Sequence, residues 1–497
     1  MAEQFDVVVA GSGMGGLTAA SLLTARGFRT LLLERQRAVG GYLSDFQRGP
    51  YQFDSAAGFV GAIEKDAEVG EFLGEIGLAD RIEFLPVQNN VRVIWPDGEL
   101  NTRRLPYVEA LAAAFPDRRG ELERLKKILE SIGADLVRFT RLSGWRRWLF
   151  PFLCPRLLRY GRATLGGLIE RELHDPALAA LAASFPATAA PSELSLLFAA
   201  ALITKGQQGG LYRPVGGLGR FAHLIAQSAA DHGADLRTGE ALAAIEHDGR
   251  RIRAVRTTAG RRIETQAVVV GFNPDDALGL LDGPETRRIR SARQRTARFR
   301  YSTSAFVVYL GLKPATDWAK EFFFTTIFET LDLDRVYGTL RDGKIPDQSV
   351  IYVCFPSAAG TNNENDAPTA RIMTPMPYDP FARWRAEGGE EEYRRRKSEL
   401  AERLIERVCR HMSWLREAIV MSEAASPLTL EHWTGNRRGA MYGLEPTVDQ
   451  FGPSRWPNKG VLGGLYFCGH YSRPSHGIAG TCYSGRFAAD LVTRDLR

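Results

Sequence analysis

An α/β fold, built on a Rossmann-like parallel sheet and interleaved with an α+β second domain, is what the sequence predicts. Three observations carry that expectation. A strand, a glycine turn and a helix open the chain; a set of short strands lies between residues 235 and 271; and a strand, turn and helix close it. A chain of 497 residues exceeds one simple domain, so two intertwined domains are expected.

Phe5 to Ala10 is a short run rich in β-branched residues, suited to a buried parallel strand. It enters Gly11-Ser12-Gly13-Met14-Gly15-Gly16, after which Leu17 to Arg26 reads as a helix closed by Gly27. A second buried strand, Thr30 to Leu33, ends at Glu34, and Glu34 and Arg35 are candidates for holding the cofactor. Gly11 permits the tight turn, Gly13 lets backbone approach a pyrophosphate, and Gly16 lets the helix sit close on the strand. The helix N-terminus offers free N–H groups to phosphate, and Met14 and Gly15 are cofactor-binding candidates in the turn before it. Glu34 stands where a carboxylate accepts hydrogen bonds from a ribose diol. A glycine-rich structural turn would need only the glycines, whereas here every part of a dinucleotide site follows in order. Gly40-Gly41, shortly after Glu34, resembles the second glycine pair of FAD proteins. FAD rather than a nicotinamide cofactor is therefore expected, held without a recognisable covalent attachment motif.

Residues 64–140 read as helical and polar, with Leu122, Leu125, Ile128, Leu129 and Ile132 at helical spacing. In residues 141–162, Trp145, Trp148, Phe150, Phe152 and Tyr160 alternate with arginines, and Pro151 and Pro155 break any long helix. That composition suits an interfacial segment in a lipid headgroup layer, or a helical lid on the second domain. At Gly216-Gly217 a turn opens a helix, Arg220 to His232. Strands are then expected at Asp235 to Arg237, Ala241 to His247 (with Leu242 a cofactor-binding candidate), Ile252 to Thr257, Ile263 to Thr265 and Ala267 to Val270. Further strands at Ser304 to Leu312 and Ser349 to Phe355 precede a helix from Glu390 to His411, whose Glu392 and Arg396 share a solvated face.

Near the end, Gly464 to Gly469 reads as a last buried strand, followed by a loop with His470, His476, Gly477, Ile478 and Gly480. A helix from Thr481 to Thr493 is expected, with Ser484, Gly485, Ala488 and Ala489 on an inner side that presses against a flat ring. His432 and Trp433 are expected to pack the seam between domains.

The chain resembles the phytoene desaturase family of FAD enzymes, which includes carotenoid isomerases and retinol saturase-like proteins within the amine-oxidase-type fold. The matching stretches are VVVAGSGMGGLTAA with Glu34, Gly40-Gly41, YQFDSAAG, YRPVGGLGRFAHLIA, TLEHWTGNRRGAMYG and GLYFCGHYSRPSHGIAGTCYSGRFAAD. The sequence departs from the family at Ala56, at His470 and at His476. The resemblance implies a Rossmann-like FAD-binding domain from 1–75, 210–290 and 425–497, and an α+β substrate-binding domain from 76–209 (mostly helical) and 291–424 (mixed sheet). It implies redox chemistry at carbon–carbon bonds of a lipophilic isoprenoid or polyene. Desaturation, with a hydride passing to flavin N5, is the simplest form, because no second dinucleotide fingerprint exists for a nicotinamide reductant. Isomerisation or saturation, amine oxidation and a non-catalytic prenyl-binding role are the alternatives. Candidate catalytic residues are His476, His470 and Tyr442, with Tyr483 also on the flavin side; an imidazole at 476 would exchange a proton near neutral pH.

Bulk properties exclude other classes. The net charge of +6 is spread over many arginines, with none of the basic-aromatic clustering of a nucleic-acid binder. Cys154, Cys354, Cys409, Cys468 and Cys482 are far apart and odd in number, which supports neither a disulfide framework nor a metal site. A cytoplasmic location is expected, with peripheral membrane contact through 141–162. The chain enters its first strand too early for a secretory leader, and no stretch is apolar enough to span a bilayer.

Overall fold

The computed structural model describes residues 3–56, 58–87, 91–102, 107–142, 148–184, 188–208, 210–314, 323–356 and 367–497. Strand β1 (Glu3–Ala10) leads into helix α1 (Met14–Ala25) and strand β2 (Thr30–Glu34). Helix α2 (Gly217–Asp231) precedes strands that end with β3 (Arg262–Val270). Strand β4 (Leu465–Phe467) and helix α3 (Gly477–Leu496) close the chain. One sheet runs Asp235–Thr238, β2, β1, β3, all parallel, and then Ile252–Thr257, Leu242–His247 and Leu281–Asp282. The outer edge of β3 is shared: its first half pairs antiparallel with Ile252–Thr257 and its second half pairs parallel with β4. Val7, Val8 and Val9 are fully buried, as expected of a parallel strand covered on both faces. The two strand runs read separately at Ile263 to Thr265 and Ala267 to Val270 are one continuous strand.

A second sheet of seven strands runs Ile419–Ala425, Ser304–Leu312, Thr369–Met376, Val350–Cys354, Phe324–Phe328, Val91–Trp95, Gly98–Thr102. Its strand Ser304–Leu312 is buried at every position. Side chains alternate across a sheet, so its two faces meet different neighbours. Phe306, Val308, Leu310 and Leu312 pack on the long helix Asp379–Cys409, while Ala305, Val307 and Tyr309 pack on Tyr51 and Phe53 of the hairpin Asp45–Arg48/Tyr51–Asp54. Burial on both faces accounts for a strand that lacks polar alternation.

The helical reading of 64–140 needs correction. Helix Arg119–Arg141 does bury Leu122, Leu125, Leu129 and Ile132 against neighbouring helices, but Val91–Trp95 and Gly98–Thr102 form a hairpin on the second sheet. Val91–Trp95 pairs parallel with Phe324–Phe328, a partner more than 200 residues distant that local periodicity does not reveal. The turn Pro96-Asp97-Gly98 was the local signal for it.

Helices α1, α2 and α3 all start earlier than the sequence reading placed them, and each has glycine in its first turn. Helix α1 begins at Met14, α2 at Gly217 and α3 at Gly477. The small residues of α3 also serve a different neighbour from the one expected. A Cβ on Gly485 would lie 2.3 Å from the carbonyl oxygen of Gly15 and 2.8 Å from Thr18 Cβ, so this face presses on α1 rather than on a ring system. His432 and Trp433 do not pack a seam. Both are exposed, Trp433 to 59%, and they contact one another edge to face while their carbonyls accept hydrogen bonds from Arg35 and Gln36.

Candidate cofactor and substrate site

The turn after β1 is shaped by close backbone approach. Gly11 has φ +99°, and a Cβ on Gly16 would fall 1.8 Å from the Gly11 carbonyl oxygen. A Cβ on Gly15 would fall 2.7 Å from the amide nitrogen of Gly469, the residue after β4. The second glycine pair docks on this loop: Gly40 donates its N–H to Ser12 O at 3.0 Å, and a Cβ on Gly41 would meet Gly13 Cα at 3.3 Å. At Gly13 and Gly477, by contrast, a Cβ would meet nothing within 4 Å. The structure thus joins Gly11, Gly13, Met14, Gly15, Gly16, Gly40, Gly41 and Gly469 into one cradle, with the N-terminus of α1 facing it.

Glu34 holds this loop. Its Oε2 accepts the Ser12 N–H at 2.8 Å and the Ser12 hydroxyl at 2.7 Å, and its Oε1 accepts the Gln36 N–H at 2.8 Å. Three of the roughly four lone-pair directions of the carboxylate are thereby used within the protein. Leu242 lies near the same corner, since Glu240 donates its N–H to Glu34 O at 3.0 Å. Arg35 does not face the cradle. It is exposed, and its guanidinium donates to the carbonyl of His432 at the end of helix Pro427–Thr434.

At the far end, His476 immediately precedes α3, which places Gly477, Ile478 and Gly480 in the first turn of a helix rather than in a loop. The His476 ring sits between Phe198 (centroids 4.7 Å) and Tyr442 (4.9 Å). Phe451 meets Phe198 edge to face at 5.5 Å between centroids. His470 is elsewhere engaged: its Nε2 lies 3.1 Å from Asn436 Oδ1, which also accepts the Tyr471 hydroxyl at 3.1 Å. Tyr483 packs on Phe487 within α3. The structure therefore unites His476 with Tyr442 and gives His470 a separate partner.

The electrostatics revise the expected role of the histidines. Burial, then the nearby Arg455 charge, push His470 down to about 3. His476 is lowered well below the ordinary histidine value by burial, by Arg455 and by His470. Burial and the Arg455 charge thus favour the neutral form of both rings, against the proton exchange near neutrality expected of His476. Burial raises the Tyr442 hydroxyl, with Arg371 opposing it.

Reasoning from sequence missed Phe198, Asn436, Arg371 and Arg455, which reach this place from distant segments. Four buried polar atoms without a hydrogen-bond partner among the described residues gather at its edge: Arg455 Nη1, Trp456 Nε1, Ser472 Oγ and His476 Nδ1. Open space at Gly13 and Gly477, free N–H groups at two helix starts and these orphaned atoms fit a dinucleotide with a polar ring system at one end.

Comparison with known proteins agrees. The model of the family described as flavin containing amine oxidoreductase matches residues 14–493. A prolycopene isomerase of Arabidopsis thaliana is 22% identical over 99% of this chain and 83% of its own length. An all-trans-zeta-carotene desaturase of Myxococcus xanthus is 26% identical (98% and 93%), and an all-trans-retinol 13,14-reductase of Homo sapiens is 24% identical (91% and 79%). Among solved structures, putrescine oxidase bound to putrescine superposes with a TM-score of 0.66 at 18% identity, covering 99% of this chain and all of that one. Cyclohexylamine oxidase from Brevibacterium oxydans gives 0.63 at 16% identity, over 99% of each chain. These likenesses establish a shared fold.

Proposed function

Because the chain belongs to the flavin containing amine oxidoreductase family and is an FAD-dependent oxidoreductase, we propose that it acts on carbon–carbon bonds of a lipophilic isoprenoid or polyene, as a desaturase. One observation carries the choice of substrate. The neutral His476 ring is flanked by Phe198 and Tyr442, and the charges that bear on this pair are those of arginines, Arg371 on Tyr442 and Arg455 on His476. Such surroundings accept an apolar chain and repel a protonated amine. The carotenoid and retinoid names of the sequence relatives support the same reading.

In this reading the Gly11–Gly16 loop and the start of α1 hold the pyrophosphate, Glu34 and Leu242 the adenosine end, and Gly40 and Gly41 the linker. Gly469, Gly477, Ile478 and Gly480 line the ring end. Arg35, turned onto a helix C-terminus, is left out. FAD when bound supplies the two-electron redox step. Phe198, Tyr442 and Phe451 orient the polyene and exclude water, His476 contacts the reacting region as a neutral hydrogen-bonding group, and His470 positions the loop through Asn436. The hydrogen count of the product decides the direction of reaction. A desaturase yields a product two hydrogens lighter. A product of unchanged mass, formed only with pre-reduced enzyme, indicates an isomerase, and a product two hydrogens heavier a saturase.

A lipid surface is the natural source of such a substrate, and we propose that the protein docks on anionic membrane through the region around residues 137–158. Val137, Phe139, Trp148, Leu149, Phe152 and Leu158 are exposed there, Trp148 to 86% and Phe152 to 81%, beside the exposed Arg156 and Arg159. Residues 143–147, Trp145 among them, lie outside the described residues. No described helix is long and apolar enough to cross a membrane, so docking would be peripheral. The protein is expected to sediment with anionic vesicles at low salt, and to be released by salt or by Trp148→Glu with Phe152→Glu. Wild-type protein that stays in the supernatant at low salt makes the region a lid or a contact between copies instead.

A further inference from the structure

Arg455 is completely buried, yet it faces no anion. Its Nε donates to Ser472 O at 3.0 Å and its Nη2 to His470 O, both neutral carbonyls, while Nη1 has no partner among the described residues. Two further arginines adjoin it. Arg295 donates to Ser454 O at 2.7 Å and lies 5.2 Å from the Trp456 ring centroid; Arg473 donates to Arg455 O at 3.3 Å and to Pro453 O. Among the described residues none of the three is ion-paired or hydrogen-bonded to a carboxylate. Burial holds Arg455 down to about 9 and lowers Arg295 and Arg473 as well, the expected response of cations desolvated without counter-charge.

A second positive feature meets the first. Helix α3 runs for 20 residues from Gly477, with no side-chain cap from His476 and no acidic residue in its first turn. Its N-terminal N–H groups and aligned peptide dipoles therefore present uncompensated positive potential at the same loop, residues 470–477. A buried cation is ordinarily retained only with an anion beside it. The carbonyls of His470 and Ser472 orient Arg455, but they do not neutralise it.

We propose that Arg455, together with the uncapped start of α3, is the electrostatic seat for the negative charge that the FAD ring carries once it has accepted a hydride. The balance is simple: substrate gives up two electrons and one proton as hydride, and the neutral oxidised ring becomes a monoanion. A fixed buried cation stabilises that product and leaves the oxidised ring little affected, so it makes the bound flavin a stronger oxidant. The proposal rests on the flavin assignment and is independent of which carbon chain is oxidised.

Its test therefore uses the holoenzyme without substrate. Sulfite adds to an oxidised flavin and leaves the ring negatively charged, so its dissociation constant, read from loss of yellow absorbance, reports the same stabilisation. Arg455→Met is expected to weaken sulfite binding at least about ten-fold and to lower the midpoint potential measured against a reference dye. Arg455→Lys, which keeps the charge, should restore most of both. A residue that merely braced the loop would change FAD content and thermal stability but leave the sulfite affinity of the retained flavin unchanged, and that result overturns the proposal. Should Arg455→Met fail to retain FAD, the wild type decides alone. Its fully reduced flavin should keep the anionic absorbance spectrum as pH falls through the acidic range in which the protein stays folded. Protonation of the reduced ring within that range contradicts the assignment. A preparation that never binds flavin would instead refute the cofactor assignment itself.

Discussion

Replacing Asp54 with Ala is expected to destabilise the protein by about 3–5 kcal/mol, the cost of removing one partner of a buried ion pair. Asp54 ends the hairpin that packs on the second sheet. Its Oδ2 lies 2.5 Å from Arg213 Nη1, and the two side chains are only 5% and 7% exposed. Oδ1 accepts the Leu218 N–H at 3.1 Å, so the same carboxylate is the anion at the start of α2. Its backbone carbonyl accepts Arg371 Nη1 at 3.2 Å, and the neighbouring Ser55 carbonyl accepts the Tyr309 hydroxyl at 2.5 Å; both donors come from the second sheet. Asp54 and Ser55 thus tie the strand Leu211–Pro214, α2 and the second sheet together. Asp54→Ala should lower the urea midpoint sharply and yield protein with little flavin. Asp54→Asn keeps the shape and the Leu218 contact and should lie between. A variant with unchanged midpoint and full colour would show that the pair contributes nothing beyond a hydrophobic filler.

The second large effect is expected at Glu34. Glu34→Ala removes the acceptor of the Ser12 N–H, leaving a fully buried donor unsatisfied. Hydrogen bonds to a charged group are worth about 1.5–3 kcal/mol each, and one lone-pair direction remains for the ribose. The loss of FAD affinity should be about ten-fold to about a hundred-fold, accompanied by a lower thermal midpoint, because the glycine loop loses its brace even without cofactor. Glu34→Gln is not a conservative rescue: its single amide oxygen cannot accept from both Ser12 and Gln36, whose N–H groups use separate carboxylate oxygens. Isothermal titration of the deflavinated protein with FAD measures the effect. Wild-type affinity in Glu34→Ala would place the adenosine end elsewhere.

Strands with strong local character were legible in the sequence. Ile252–Thr257 and Ser304–Leu312 fall where β-branched runs put them. The helix starts were not, because Gly15, Gly16, Gly217, Gly219 and Gly480 argue against a helix by propensity. In the fold each of these first-turn positions is pressed against another part of the chain; a Cβ on Gly219, for instance, would lie 2.2 Å from Asp45 Cγ. Close approach overrides propensity there. The hairpin from Val91 to Thr102 escaped for the opposite reason, since its pairing with Phe324–Phe328 is wholly long-range. The glycine cradle was legible because its spacing is local. The ring side was only half legible: His476 and Tyr442 were visible as unusual residues, but Phe198, Asn436 and Arg455 join them only in three dimensions. The pH behaviour of His476 was also beyond reach, because it depends on burial and on a cation 21 positions away in sequence.

The central claim is that an FAD-dependent oxidoreductase here takes electrons from a polyene rather than an amine. The most direct measurement is anaerobic mixing of the purified yellow protein with a panel of carotenoid-type polyenes and, in parallel, with primary and secondary amines, while the flavin absorbance is followed. The account predicts bleaching by at least one polyene, one equivalent per flavin, with a product two hydrogens lighter and no response to the amines. Bleaching by an amine with release of an aldehyde, while every polyene leaves the colour intact, would contradict it.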